Sequence, residues 1–200
     1  MKQSIKTIKE RLFDPTFNDP AFLQELLADE RAGVQKLLQQ YEKQLVKKQL
    51  LREKYEEMMR FENEAFRQGA RFIAGLDEVG RGPLAGPVVS AAVILPKECQ
   101  ILGLNDSKQL SAKKREELFI EIQNKAVAVG IGVVSPEEID RINIYQASRL
   151  AMKEALIDLA VKPEHLLIDA MTIETDIPQQ SLIKGDARSI SIAAASIIAK

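Results

Sequence analysis

The chain has 200 residues, 46% of them hydrophobic and 28% charged, which supplies apolar side chains for one sizeable core with an appended segment. A net charge of -1 and a pI near 6.0 exclude a protein coated in cations, so any nucleic-acid footprint has to be local. The opening MKQSIKTIKERLF breaks its apolar positions with lysine and glutamate, which excludes a secretory leader; no membrane span is visible and the single Cys99 excludes an internal disulfide, so a cytoplasmic location is expected.

Met1 to Gln68 holds one glycine, Gly33, and no proline after Pro20, a composition that predicts helix and places a boundary at Gly69. The chain is therefore divided into a helical N-terminal extension, residues 1–69, and a second domain, residues 70–200. Val34, Leu38, Tyr41 and Leu45, then Leu51, Tyr55 and Met58, recur at spacings of three and four with one break in phase. A helical hairpin or one long helix is expected, its stripe packing on the second domain or on a partner helix. The opposite face carries Lys43, Lys47, Lys48, Arg52 and Lys54, but the interleaved Glu42, Glu53, Glu56 and Glu57 read first as a solvated surface and only second as a duplex-holding one.

Beyond Gly69 the pattern predicts strands over 71–77 and 88–95, a helix over about 112–125, and a strand over 126–134. Ser135, Pro136 and Glu138 make a capping box that opens helical segments running through Asn143 to Ala160. A strand over Leu166 to Asp169 follows, then a short apolar segment at Ser181 to Ile183, then ARSISIAAASIIA, a helix of small residues able to lie close to a sheet. The order of elements predicts a mixed α/β fold.

Gly75 to Val89, GLDEVGRGPLAGPVV, sets two adjacent carboxylates at the end of an apolar strand and follows them with glycines. Neighbouring side chains on a strand point to opposite faces, so Asp77 and Glu78 converge only if the backbone turns where the strand ends, a turn that Gly80 and Gly82 permit. Arg81 between them offers a planar fork suited to phosphate oxygens. A dinucleotide fingerprint is the rival reading of Gly80, Gly82 and Gly86. Its last interval is one residue too long, and the β-branched VVSAAVIL follows where a phosphate-binding helix is required.

Two more aspartates hold comparable places: Asp169 closes the apolar run Leu166 to Ile168, and Asp186 lies in KGDAR just beyond Ser181 to Ile183. Open α/β sheets gather sequence-distant side chains at strand ends. Four carboxylates without histidine or cysteine form a hard oxygen site that favours Mg2+ or Mn2+, and two-metal hydrolysis is the chemistry expected of it. His165, the only histidine, starts the same strand that Asp169 ends, which argues against a general-base role.

At these residues the chain resembles the type 2 ribonucleases H, specifically the bacterial ribonuclease HII branch. The resemblance runs from about Arg71 to Lys200 and is carried by GLDEVGRGPLAGPVV, NDSKQLS (105–111), IDRINIYQAS (139–148), LLIDA (166–170) and KGDARSISIAAASIIAK (184–200). It implies a ribonuclease H-like mixed sheet flanked by helices, with the all-helical N-terminal extension appended. It implies that Asp77, Glu78, Asp169 and Asp186 bind two Mg2+ or Mn2+ ions, and that Gly80, Arg81 and Gly82 read the ribonucleotide 2′-hydroxyl. Lys108, Asn143 and Lys184 match positions near the nucleic-acid groove.

The implied partners are RNA:DNA hybrid and ribonucleotide-containing duplex DNA, cut on the 5′ side of the ribonucleotide, with no membrane. Asp186 and Arg81 separate the chain from ribonuclease HIII, which places glutamate at the fourth carboxylate and lacks the arginine. In the family the chain continues past the AAASIIAK helix and brings a tyrosine that stacks on the target ribonucleotide. This chain stops at Lys200, so a truncated form is expected that keeps all four carboxylates and with them metal binding, while the selectivity and turnover implied by the resemblance are those of the complete enzyme. A metal-dependent phosphoesterase for small molecules, and an inactive adaptor working through its N-terminal helices, stand as the other readings.

Overall fold

The computed structural model describes residues 3–82 and 86–200; Pro83, Leu84 and Ala85 of the glycine-rich motif lie outside the described residues. Two compact units are present, Met1–Glu53 and Lys54–Lys200.

In the first unit α1 (Ile5–Leu12) starts where the Ser4 hydroxyl accepts from the N–H of Thr7, and α2 (Pro20–Leu27) starts where the Asp19 carboxylate accepts from that of Phe22. Ile8, Leu12, Phe22 and Leu26 bury against Val34, Leu37 and Leu38 of the long helix α3 (Ala32–Met58), with Phe13 and Phe17 edge-on to Tyr41.

The apolar stripe of α3 turns out to be two stripes. Its first half packs in this small core, Tyr55 and Met58 pack in the second unit, and Leu45, Val46 and Leu50 between them are 46%, 59% and 59% exposed. The break in phase falls in that exposed stretch. Residues 54–69, including α4 (Arg60–Arg67), thus belong with the sheet unit by compactness, although their composition matches the helices before them.

The second unit is built on a five-stranded sheet in the order β3-β2-β1-β4-β5, with β1 (Ile73–Val79), β2 (Val88–Ile94), β3 (Ala128–Val134), β4 (His165–Asp169) and β5 (Gln179–Leu182). β2 runs antiparallel to both β1 and β3, whereas β4 runs parallel to β1 and β5. Alternation sorts the core into two layers. Ala91 and Val93 face α5 (Ala112–Lys125) and α8 (Ile190–Ala199), while Ala92 and Ile94 face α7 (Ile144–Asp158).

Three details of the sequence reading are corrected. β1 continues through Val79, so Asp77 and Glu78 lie inside the strand, because β2 goes on pairing with it at Asp77↔Ala91, Glu78↔Ser90 and Val79↔Val89. The capping box at α6 (Pro136–Ile142) is half formed: Ser135 accepts from the N–H of Glu138, but the Glu138 carboxylate takes Arg141 at 2.6 Å. The helical run breaks at Asn143, whose φ of 70° ends α6 and whose side chain caps α7.

Candidate active site

The parallel register of β1 and β4 ends at Leu76↔Ile168, one residue before Asp77 on one strand and Asp169 on the other. Beyond that level β2 is the one strand among the described residues that still pairs with β1, and the freed flank faces an open cavity of about 760 Å³. Among the described residues the cavity is lined by Asp77, Glu78, Val79, the Gly80–Arg81–Gly82 segment, Ser107, Lys108, Asp169, Ser196 and Lys200. Three carboxylates from two parallel strands therefore share one space, and the two strand neighbours reach it without a bend between them.

Asp77 is 5% exposed; its Oδ1 accepts from the N–H of Glu78 at 2.8 Å, and its carbonyl accepts from the Ser90 hydroxyl at 2.7 Å. Burial pushes its carboxyl up to about 8, opposed by a hydrogen bond from Ser196 on α8 and reinforced by the charges of Glu78 and Asp169. Burial also raises Glu78, against the pull of Arg81, whose guanidinium sits 3.1 Å from Glu78 Oε1. Glu78 Oε2 is buried and has no hydrogen-bond partner among the described residues.

Asp169 closes β4, and its Oδ1 accepts from the N–H of Gly185 at 2.6 Å, tying it to the 3-10 turn Gly185–Ala187 that carries Asp186. Its carboxyl is raised by burial, while Gly185 and Lys108 hold it down. Burial first, then the charges of Asp106 and Asp169, push Asp186 to about 6. Asp186 is thus electrostatically coupled to the cluster, although it does not line the cavity as Asp77, Glu78 and Asp169 do.

The donor set fits a hard divalent cation. Carboxylates raising one another, with one buried oxygen unclaimed, are what a cation would relieve, and only oxygen donors are present. No group of three or more His, Cys, Asp or Glu among the described residues is closed around a common point as a preformed cage.

Gly80 makes the turn out of β1 at φ +101°, and a Cβ there would meet the carbonyl oxygen of Pro87 at 2.3 Å, so no other residue fits. Gly80, Arg81, Gly82 and Lys108 all line the cavity. Asn143 and Lys184 do not: Asn143 Oδ1 is occupied with the N–H groups of Tyr145 and Gln146, and Lys184 is exposed in a left-handed conformation before the Asp186 turn. His165 begins β4, at the far end from Asp169, and burial lowers its pKa.

Three polar residues of the site escaped the sequence reading. Ser196 and Ser107 lie with their hydroxyl oxygens 3.0 Å apart and line the cavity, and Asp106 adds a fifth negative charge to the surroundings of Asp169 and Asp186. The available signal was the spacing in NDSKQLS, where Asp106 caps the short turn Ser107–Gln109 that presents Lys108.

A family model described as ribonuclease HII matches residues 74–200, and a second, described as the ribonuclease HII N-terminal domain, matches residues 4–66. Ribonuclease HII of Enterococcus faecalis is 58% identical over 199 residues, covering 100% of this chain and 78% of that protein. Ribonuclease HII of Bacillus cytotoxicus is 55% identical over 199 residues and is covered to 77%. The crystal structure of ribonuclease H2 from Pyrococcus horikoshii superposes with a TM-score of 0.57 at 29% identity, over 64% of this chain and 70% of that one. Sheet and helical extension alike are matched by models of one enzyme, and relatives bearing its name share more than half of their aligned residues with this chain, which therefore belongs to the ribonuclease HII family of ribonuclease H hydrolases.

Proposed function

We propose that this protein hydrolyses the RNA strand of RNA:DNA hybrids and cuts on the 5′ side of ribonucleotides embedded in duplex DNA, leaving 3′-hydroxyl and 5′-phosphate ends. The observation that carries the reading is the single cavity in which Asp77, Glu78 and Asp169 meet the Gly80–Arg81–Gly82 turn and Lys108. Asp77, Glu78, Asp169 and Asp186 would hold two Mg2+ or Mn2+ ions, which when bound supply activation of water and stabilisation of the departing oxygen.

The chain's own groups do the rest. Asp77, the most buried of the four and oriented by the Glu78 N–H, would be one holder of the ions, and Asp169, whose charge reaches Asp77, Glu78 and Asp186, would be another. The turn at Gly80 brings main-chain groups to the cavity wall without side chains in the way, which suits recognition of a 2′-hydroxyl. Arg81 and Lys108 set positive charge beside the carboxylates for phosphate oxygens. Lys184, exposed beside the Asp186 turn, extends that charge along the duplex, and Asn143 acts by holding the start of α7.

The test is incubation with Mg2+ or Mn2+ and a duplex bearing one ribonucleotide, beside a long hybrid and a small phosphate monoester. Cleavage of both duplexes with the stated end chemistry, lost in Asp186→Asn, is the expected result. Turnover of the monoester alone, or duplex cleavage that survives Asp186→Asn, overturns it.

A further inference from the structure

A further buried carboxylate lies outside the cavity. Glu62 on α4 is 2% exposed, and its Oε1 accepts from the Ser189 hydroxyl at 2.6 Å and from the N–H of Ser191 at 3.0 Å. Its other oxygen, Oε2, has no partner among the described residues. Ser189 is the N-cap of α8, accepting from the N–H of Ile192 at 3.2 Å. Glu62 takes another first-turn amide, that of Ser191, and adds a bond across 127 positions of sequence between α4 and the first turn of α8.

That turn sets the reach of the cluster. The N–H of Ser189 bonds back to the carbonyl of Gly185 at 2.8 Å, which links the turn to the 3-10 segment carrying Asp186. The backbone of Ser191 lies so close to β1 that a Cβ on Gly75 would meet its carbonyl carbon at 2.0 Å, two residues before Asp77. Farther along the same helix, Ser196 lines the cavity beside Asp77, and its hydroxyl holds the Asp77 carboxyl down. The first turn of α8 is thus connected to the segment carrying Asp186 and, along its helix, to a residue beside Asp77.

We infer that Glu62 is a positioning residue: by gripping the first turn of α8 it sets where Asp186 and Ser196 stand relative to Asp77, so that a residue of the helical segment before the sheet decides how well the carboxylates gather. This rests on the reading of those carboxylates as the cation site. The hydrogen-bond geometry, and not the negative charge, is what acts, since both contacts converge on one oxygen. Glu62→Gln keeps an acceptor at that distance, whereas Glu62→Asp keeps the charge and withdraws the acceptor by one methylene.

The experiment compares the full chain with Glu62→Gln, Glu62→Asp and Glu62→Ala, reading amide exchange without divalent ion, Mn2+ affinity by calorimetry, and hybrid cleavage against Mg2+ concentration. In Glu62→Asp and Glu62→Ala, exchange at Ser191, whose N–H Glu62 holds, and at its first-turn neighbours Ile192 and Ala193 accelerates about tenfold or more while β2 and β3 keep their protection, as loss of a buried hydrogen bond at one helix end predicts. Mn2+ binding weakens about fivefold or more, and more Mg2+ is needed for half-maximal cleavage, whereas Glu62→Gln stays within about twofold of the parent on all three readings, the margin left by an acceptor of equal reach. Should Glu62→Ala fail to fold, Glu62→Asp against Glu62→Gln decides. A folded Glu62→Asp with parental exchange and Mn2+ affinity overturns the inference, as does a Glu62→Gln as impaired as Glu62→Asp. Exchange and Mn2+ affinity that follow this pattern in a chain that cuts no RNA would sink the nuclease reading and leave Glu62 its role.

Discussion

Glu62 on α4 and the Asp77–Glu78 pair on β1 are both buried acids raised above their ordinary range by loss of water, yet they do opposite work. Glu62 meets two donors from one helix end, and none of the forces acting on it is a neighbouring carboxylate. Asp77 and Glu78 meet each other's surroundings: Asp169 raises both, and Arg81 pulls Glu78 and Asp169 back down. Burial alone therefore does not mark chemistry. Repulsion among neighbouring carboxylates does, because it is relieved either by taking up a proton or by binding a cation.

The largest effect that sharpens this contrast is Asp77→Asn. It keeps the shape and removes a ligand charge, so cleavage falls by at least the roughly 10²–10³-fold seen when a charge-stabilising group is removed from an active site. Stability moves the other way. Without divalent ion at pH 8, Asp77→Asn melts above the parent, since a buried like-charged neighbour has gone, whereas Glu62→Ala melts below it by leaving the Ser189 hydroxyl and Ser191 N–H unpaired. A parental melting point in Asp77→Asn under chelation would show that the repulsion is not felt.

Next in size is the response to pH and metal. The carboxyl of Asp77 is raised in the folded state from 3.8 to about 8, so the folded protein binds the proton more tightly than the unfolded chain. That contribution is fully present below the unfolded value and is lost as pH rises through about 8, with Asp186 adding a smaller loss through about 6. Melting temperature in chelator therefore declines between pH 5 and pH 8.5. Divalent ion at a hundred times its dissociation constant restores about 2.7 kcal/mol at the upper end, or about 5–10 °C for a chain of this size. A flat profile in chelator, or equal gain from metal at pH 5 and pH 8.5, would break the account.

These sites were unevenly legible in the sequence for a physical reason. The helix over 112–125 matches α5 because its signals are local: Ser111 caps it and Lys125 closes its last turn. Asp169 was readable because a parallel strand buried on both faces reads as an apolar run, and the first charge ends it. The end of β1 was not, since Asp77 to Val79 stay in the strand only through pairing with β2, which no local pattern encodes. The stripe on α3 misled because spacing shows which face is apolar but not which core covers each half. Glu62 carries no local signal at all, since its partners lie 127 and 129 positions away.

The smallest effect concerns Arg81, the one cation that answers the cluster from within its own turn. Its guanidinium is 42% exposed and bonded to Glu78, so in the free protein it serves the carboxylate and must be shared with a phosphate oxygen when substrate arrives. Arg81→Ala should raise KM for a hybrid by about three- to tenfold, the range of one partly exposed charged contact, and leave kcat within about threefold. Because Arg81 holds Glu78 down, its removal lets the Glu78 carboxyl rise further, and Mn2+ binding measured against pH shifts its midpoint upward. The two readings separate its roles. A raised KM with an unmoved midpoint makes Arg81 a substrate contact only, and a moved midpoint with parental KM confines it to keeping Glu78 charged.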